Sequence, residues 1–231
     1  MRSRVLAFLL ALLPVAPAWA QPTAEGPPWQ VGGGFVVGVP VGEFGDNVDG
    51  AGGFSGHADV ALGDSIVSLG VEGSYLLYGT ESRRVPLSPT IPDIVVTVDT
   101  SNSVALVHGR VRAQPRRGRV RPYADGLLGF SYIATRTSIE ESIDCDPWGC
   151  SSLGATNLDD FTLSLGAGAG LQVGFGAAPH RWKLDLSVRY LAGGKADYLR
   201  QGAIRREGGQ AFFDVSRSRT DMVLVYLGVA F

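Results

Sequence analysis

Charge is the first shortage in this chain: charged residues make up 18% of its 231 positions, where a typical soluble domain carries about a quarter. The balance is nearly even, Lys+Arg 20 against Asp+Glu 22 for a net charge of -2, and that excludes a nucleic-acid binder built on a basic face. No stretch beyond the N-terminal segment approaches 18 consecutive apolar residues, so helical membrane spans are excluded. There are 2 cysteines, half the ligands a four-coordinate structural zinc needs. A Gly-x-Ser-x-Gly nucleophile elbow is missing. Gly166-Ala-Gly-Ala-Gly has no Lys-Ser/Thr after it, as a phosphate loop requires, so no cofactor is expected. Apolar residues are not scarce: 45% of the chain is hydrophobic and mean hydropathy is +0.14, too apolar for a disordered tail. Glycine is abundant, 32 residues in all and about twice the usual share, without a collagen period.

The N-terminal segment reads as an export address. Arg2 and Arg4 precede an apolar stretch from Val5 to Ala16, and Ala18-Trp19-Ala20 stands before Gln21. Such a pattern predicts a secretory signal peptide over 1–20, cut after Ala20, with 21–28 as a periplasmic lead-in and 29–231 as one domain. Losing two arginines leaves 18 basic and 22 acidic residues, a net of -4. An oxidising compartment lets Cys145 and Cys150 pair. So short a loop gains about 2 kcal/mol from the bond.

The mature chain alternates. In residues 161–175 one parity is wholly apolar and the other is Thr, Ser, Gly and Gln. From 182 to 190, Trp182, Leu184, Leu186, Val188 and Tyr190 interleave with Lys183, Asp185, Ser187 and Arg189. A period of two means strands with chemically different faces. The same test predicts eight strands, at 29–38, 52–62, 66–78, 102–114, 120–133, 161–175, 182–191 and 219–231. Each is long enough to cross a bilayer at a tilt. The connections run long, short, long, short, long, short, long, as in an up-and-down meander whose two ends face different environments. The expected fold is therefore all-β: an eight-stranded antiparallel up-and-down transmembrane β-barrel with short periplasmic turns and long extracellular loops.

In the first seven strands one parity carries no charge, from Trp29, Val31, Phe35 and Val37 through Leu163, Leu165 and Ala167 to the Trp182 series. A Lys or Arg on the lipid face at mid-bilayer costs about 2–4 kcal/mol, so this parity is expected to face lipid. Trp29, Tyr75, Tyr132, Trp182, Tyr190 and Phe231 fall near strand ends, where aromatic girdles belong. The opposite parity collects His57, Asp59, Glu72, His108, Arg110, Arg112, Asp125, Lys183, Asp185 and Arg189. Eight strands leave an interior just wide enough for side chains to fill. Buried charges of both signs must pair there, which predicts an interior polar network that plugs the lumen. Gly32, Gly34, Gly70, Gly166, Gly168 and Gly170 lie on strands and are expected to leave inward room for the long side chains. The last strand is apolar on both parities, and its facing stays open.

Three features resemble the small outer-membrane β-barrels of the OmpA/OmpX and opacity-type family. They are Val-Pro-Val-Gly-Glu-Phe-Gly-Asp at 39–46, Arg-Pro-Tyr-Ala-Asp-Gly-Leu-Leu-Gly-Phe at 121–130, and a C-terminal strand with Val225, Leu227, Val229 and Phe231 at alternate positions. The resemblance implies a Gram-negative outer-membrane location, with the terminal aromatic strand read by the barrel-assembly machinery. The peptidoglycan-binding domain of longer relatives is not expected.

Some barrels of this kind modify lipids, so His57 and Asp59, and His108 with Ser68 or Ser74, are weighed as catalytic groups. All point inward, where interior histidines ordinarily join polar networks, and no enzyme is expected. The loops are the expected contact surface, with Arg83, Arg84, Trp148, Arg205, Arg206, Phe212 and Phe213 as candidates. Arginine clusters suit the phosphates of lipopolysaccharide through bidentate geometry. The expected role is structural or surface-interacting, with outer-membrane lipids, lipopolysaccharide and an extracellular ligand or surface as partners, and a monomer is favoured. A narrow porin-like channel is the first alternative and a lipid-modifying enzyme the second.

Overall fold

The computed structural model describes residues 28–88, 91–146, 149–176, 182–207 and 210–231, with side chains described except at 81, 83–88, 91–98, 138–146, 149–155, 157, 200–207 and 210–214. The expected signal peptide and nearly all of the lead-in lie outside the described residues, as does Trp148. Ten strands follow in order: β1 (Trp29–Pro40), β2 (Ala51–Ala61), β3 (Val67–Ser88), β4 (Ile91–Ala113), β5 (Val120–Asp146), β6 (Gly149–Phe175), β7 (Trp182–Gly193), β8 (Lys195–Glu207), β9 (Gln210–Arg219) and β10 (Met222–Ala230). Eight of them close a barrel in the order β1-β10-β7-β6-β5-β4-β3-β2, and β8 pairs only with β9. Every neighbouring pair is antiparallel. Closure satisfies the edge backbone groups for which hydrocarbon offers no partner. At the seam, β1 and β10 are in register from Gly32↔Ala230 to Pro40↔Met222, and Phe231 N donates to Val31 O at 2.9 Å.

The uncharged parity faces outward. Phe35, Phe54, Val71, Val107, Leu128, Leu163, Leu165 and Leu186 are all exposed, Leu128 at 65%. On the last strand Val225, Leu227 and Val229 point out while Leu224 and Tyr226 are buried inside, which settles its facing. Trp29, Trp182 and Phe231 stand at the end with the short turns (the turn end). Tyr75 and Tyr132 stand toward the opposite, hairpin end, in the row Tyr75↔Ala105↔Tyr132↔Phe161.

Three expected loops are corrected by the structure. The connection expected over 79–101 is a hairpin in which β3 and β4 stay paired out to Ser88↔Ile91. The one expected over 134–160 continues β5 and β6 to their tip, where Cys145 and Cys150 are directly opposed Cα partners. The one expected over 192–218 is the separate β8–β9 hairpin, so the final barrel strand starts at Met222 rather than 219. The reason is common to all three. Alternation marks strand where one face meets lipid and the other the lumen; beyond the bilayer that contrast ends, while the backbone ladder continues from residue pair to residue pair.

Candidate functional site

The buried side chains of the barrel interior form two layers. The layer toward the turn end is ionic, and cross-strand register puts its members together: Asp59 opposes Gly70, which opposes Arg110; Arg112 opposes Asp125; Glu72 lies between His57 and His108. Strand glycines make this possible. A Cβ on Gly70 would collide with Asp59, and one on Gly170 with the Tyr123 ring. Gly32 stands against the His57 ring in the same way.

Arg110 is the centre and is 2% exposed. Its Nε donates to Asp59 Oδ1 at 3.0 Å and its Nη2 to Oδ2, a two-pronged pair. Its Nη1 donates to Glu72 Oε2 at 2.9 Å. Glu72 Oε1 accepts from Arg189 Nη1, and Arg189 Nη2 lies 3.5 Å from Asp125 Oδ2. Arg112 holds Asp125 through both carboxylate oxygens, at 2.8 and 3.0 Å, while its guanidinium carbon sits 3.6 Å from the Tyr123 ring centroid. Asp185 accepts from the Tyr123 hydroxyl and, at 2.8 Å, from Gln172 Nε2. The layer thus sets three guanidiniums against four carboxylates. Lys183, nearer the rim, donates to Gln30 Oε1 at 2.9 Å and offsets the odd charge. Gln172 Oε1 also accepts from Arg121 Nη2 at 2.9 Å and Gln114 Nε2 at 3.0 Å, continuing the polar packing to the turns.

The two histidines have different surroundings. His108 Nε2 lies 3.0 Å from Ser164 Oγ, not from Ser68 or Ser74; Ser74 donates instead to Ser55 at 2.8 Å. Asp59, two residues from His57, is committed to Arg110 rather than to the imidazole. His57 makes no hydrogen bond from either nitrogen and meets Tyr226 edge-on, with ring centroids 6.0 Å apart. Among the described residues no histidine combines a serine on one nitrogen with a carboxylate on the other, the arrangement a hydrolytic triad uses.

The layer toward the hairpin end is apolar, and sequence reasoning missed it. Val36, Leu76, Val104, Leu106, Leu127, Ile133, Leu191, Leu224 and Tyr226 form one buried cluster there. Above them the segment 41–50 folds inward on a turn in which Val48 N bonds Phe44 O at 3.0 Å, and Gly42, at φ 61, supplies the left-handed residue. Phe44 is buried edge-on against Tyr198 of β8, with ring centroids 5.1 Å apart. Tyr198 Oη accepts from Asn47 Nδ2 at 3.0 Å and sits 2.9 Å from Ser218 Oγ. Phe44 belongs to the 39–46 motif, so its position was visible although its role was not. The available signal was that Val36, Leu76, Leu127 and Leu191 break the polar parity of their strands.

The remaining sites are placed as follows. Val225, Leu227, Val229 and Phe231 lie outward, and Phe231 packs edge-on against Trp182 with ring centroids 4.9 Å apart. Arg83 and Arg84 lie on the β3–β4 hairpin opposite Val98 and Thr97. Arg205 pairs with Phe212, Arg206 with Ala211, and Phe213 with Ile204 on β8–β9. The side chains of these six, and those of Cys145 and Cys150, lie outside the described residues.

A closed barrel with an apolar outer wall and a partly ionic interior is an integral outer-membrane β-barrel of the Gram-negative envelope. The chain belongs to the family described as the outer membrane protein β-barrel domain, which matches it over residues 6–209. No curated protein matches it. Among solved structures it is similar to Neisserial surface protein A (NspA), at 13% identity and TM-score 0.43, covering 87% of this chain and 94% of that one. It is also similar to Ail, the attachment invasion locus protein of Yersinia pestis, solved with the heparin analogue sucrose octasulfate. There the identity is 19% and the TM-score 0.37, with 88% of this chain and 97% of that one covered.

Proposed function

We propose that this barrel is a non-conducting outer-membrane scaffold whose work is done at the hairpin end, in envelope integrity or in contact with an external ligand or surface. One observation supports it most: buried side-chain contacts recur along the axis, from Gln172 and Arg121 through the Arg110 ion pairs to the Leu76–Leu224 cluster and the Phe44–Tyr198 contact. Opening a water path would strip paired charges of their partners at several kcal/mol each. The test is single-channel recording in planar bilayers. Wild type is expected to show no stable conductance step; a large, steady step contradicts the scaffold reading and supports the narrow channel.

The surface role rests on the long β3–β4 hairpin, which carries Arg83 and Arg84, on the long β5–β6 hairpin, and on β8–β9, which carries Arg205, Arg206, Phe212 and Phe213. Their arginines suit the phosphates of lipopolysaccharide. The opposed positions of Cys145 and Cys150 favour a staple at the β5–β6 tip, since directly paired residues of an antiparallel ladder lie within disulfide reach. The outward Val225–Phe231 edge at the seam suits reading by the barrel-assembly machinery during insertion. Intact-cell binding after trimming each hairpin separates these roles; unchanged adhesion and lipopolysaccharide contact would remove the surface reading.

A further inference from the structure

The wall is not uniformly smooth. Where β7 leaves the barrel for β8, Ala192, Gly193 and Gly194 follow one another and line a hollow of about 490 Å³ on the outer face. Its floor is Leu128, Leu163 and Leu165, all exposed, and its upper rim carries Lys195 and Arg219. These two are directly paired across β8–β9, so their side chains leave the same face of that hairpin. The level is that of headgroups, because Gly194 N bonds Leu163 O at 2.9 Å and Leu163 is two residues from Phe161, the cross-strand partner of the girdle residue Tyr132.

We infer that this hollow is a binding site for a phosphorylated, acyl-chained lipid of the surrounding leaflet, one chain lying over Leu128, Leu163 and Leu165 and the phosphate held between Lys195 and Arg219. Charge complementarity decides for this occupant. Among the described residues Lys195 has no carboxylate partner, the Arg219 guanidinium has a 3.4 Å contact to Asp221, and Glu43 Oε2 accepts from the Arg219 backbone N at 3.3 Å. The nearby acids are turned to other donors. Asp221 accepts from Gly193 N at 3.0 Å and from Tyr190 Oη at 3.1 Å. Asp160 accepts from the backbone of Phe161 and Asp197, and Asp197 faces Arg217 at 3.6 Å. A cation pair above an apolar hollow matches a headgroup phosphate above its chains, in the way basic residues at a membrane surface take anionic lipid. The site lies in the wall, so it depends on the outer-membrane family and not on the surface role proposed for the hairpin tips.

The test places the purified barrel in phosphatidylcholine nanodiscs doped with a bis-phosphorylated hexa-acyl disaccharide lipid and measures, by mass spectrometry, the lipid retained on the barrel after detergent extraction. Wild type is expected to enrich the phosphorylated lipid over its bulk share, and its dephosphorylated form at least fivefold less. The double variant Lys195→Gln/Arg219→Gln is expected to lose that enrichment. Ala192→Phe, which fills the hollow and keeps both charges, is expected to lose it too. Arg116→Gln at the turn end, folded by the same heat-modifiable gel mobility, is expected to retain it. Equal retention of phosphorylated and dephosphorylated lipid, or undiminished enrichment in the double variant, overturns the site. So does an equal fall in Arg116→Gln.

Discussion

The two halves of the barrel interior solve one packing problem in opposite ways. Toward the turns, Arg110, Arg112 and Arg189 interlock with Asp59, Glu72, Asp125 and Asp185. Toward the hairpins, Val36, Leu76, Leu106, Leu127 and Leu224 fill the same cross-section with hydrocarbon. The ionic half depends on fixed geometry, since each charge is tolerable only while its partner is in place. The apolar half depends on volume, since dispersion and water exclusion are non-directional. Ser55 and Ser74, hydrogen-bonded to one another, mark the boundary: on β3, Glu72 below is ionic and Leu76 above is apolar. The ionic layer lies toward the turns, and the apolar layer lies under the folded-in segment 41–50.

The difference predicts a ranking of effects. Arg110→Ala should be the most damaging single change, because it leaves Asp59 buried without its two-pronged partner and Glu72 with Arg189 alone. The expected loss is about 3–5 kcal/mol, read as a fall in the urea midpoint of unfolding in micelles. Leu224→Ala opens a cavity in the apolar layer and should cost about 3 kcal/mol by the same assay. A larger loss at Leu224 than at Arg110 would break the distinction between geometry and volume. Gly170→Ala tests the space the ionic layer borrows from its strands. Its new methyl would meet the Tyr123 ring and the Leu186 carbonyl, for an expected loss of about 1–3 kcal/mol. Arg116→Ala removes an exposed 3.5 Å pair to Asp64 at the turn end and should change stability by less than about 1 kcal/mol.

The barrel was legible because lipid imposes a chemical contrast on every second residue. Leu184, Leu186 and Val188 against Asp185 and Arg189 can be read in one line of sequence; the strand at 182–191 needed only a small change at one end, and 161–175 is the membrane part of the longer β6. Of the hairpins beyond the bilayer, only the Ile-Val-Val-Thr-Val run at 94–98 reads as a strand extending the wall, and it is paired in β3–β4. Ser82, Asp99 and Thr137 meet no hydrocarbon, so their pairing leaves no alternation. The apolar layer was hidden differently: Leu76 and Leu127 sit on the parity that elsewhere holds charge, and a reader expecting a uniformly ionic interior has no rule for them. Pairing partners within the ionic layer were also beyond reach. Which arginine holds which carboxylate follows from cross-strand register, such as Arg112↔Asp125, and register is a property of two strands at once.

The claim beneath all of this is that side chains occupy the whole lumen while lipid meets the wall. Nitroxide labels on single cysteines at Leu165 and Leu186, and at Ser74 between the layers, test it in reconstituted bilayers through collisions with oxygen and with a water-soluble nickel complex. Labels at Leu165 and Leu186 should collide with oxygen and not with nickel, and the label at Ser74 should be shielded from nickel. Free nickel access at Ser74, in a barrel still folded by gel mobility, would mean that water runs through the centre and would contradict the account.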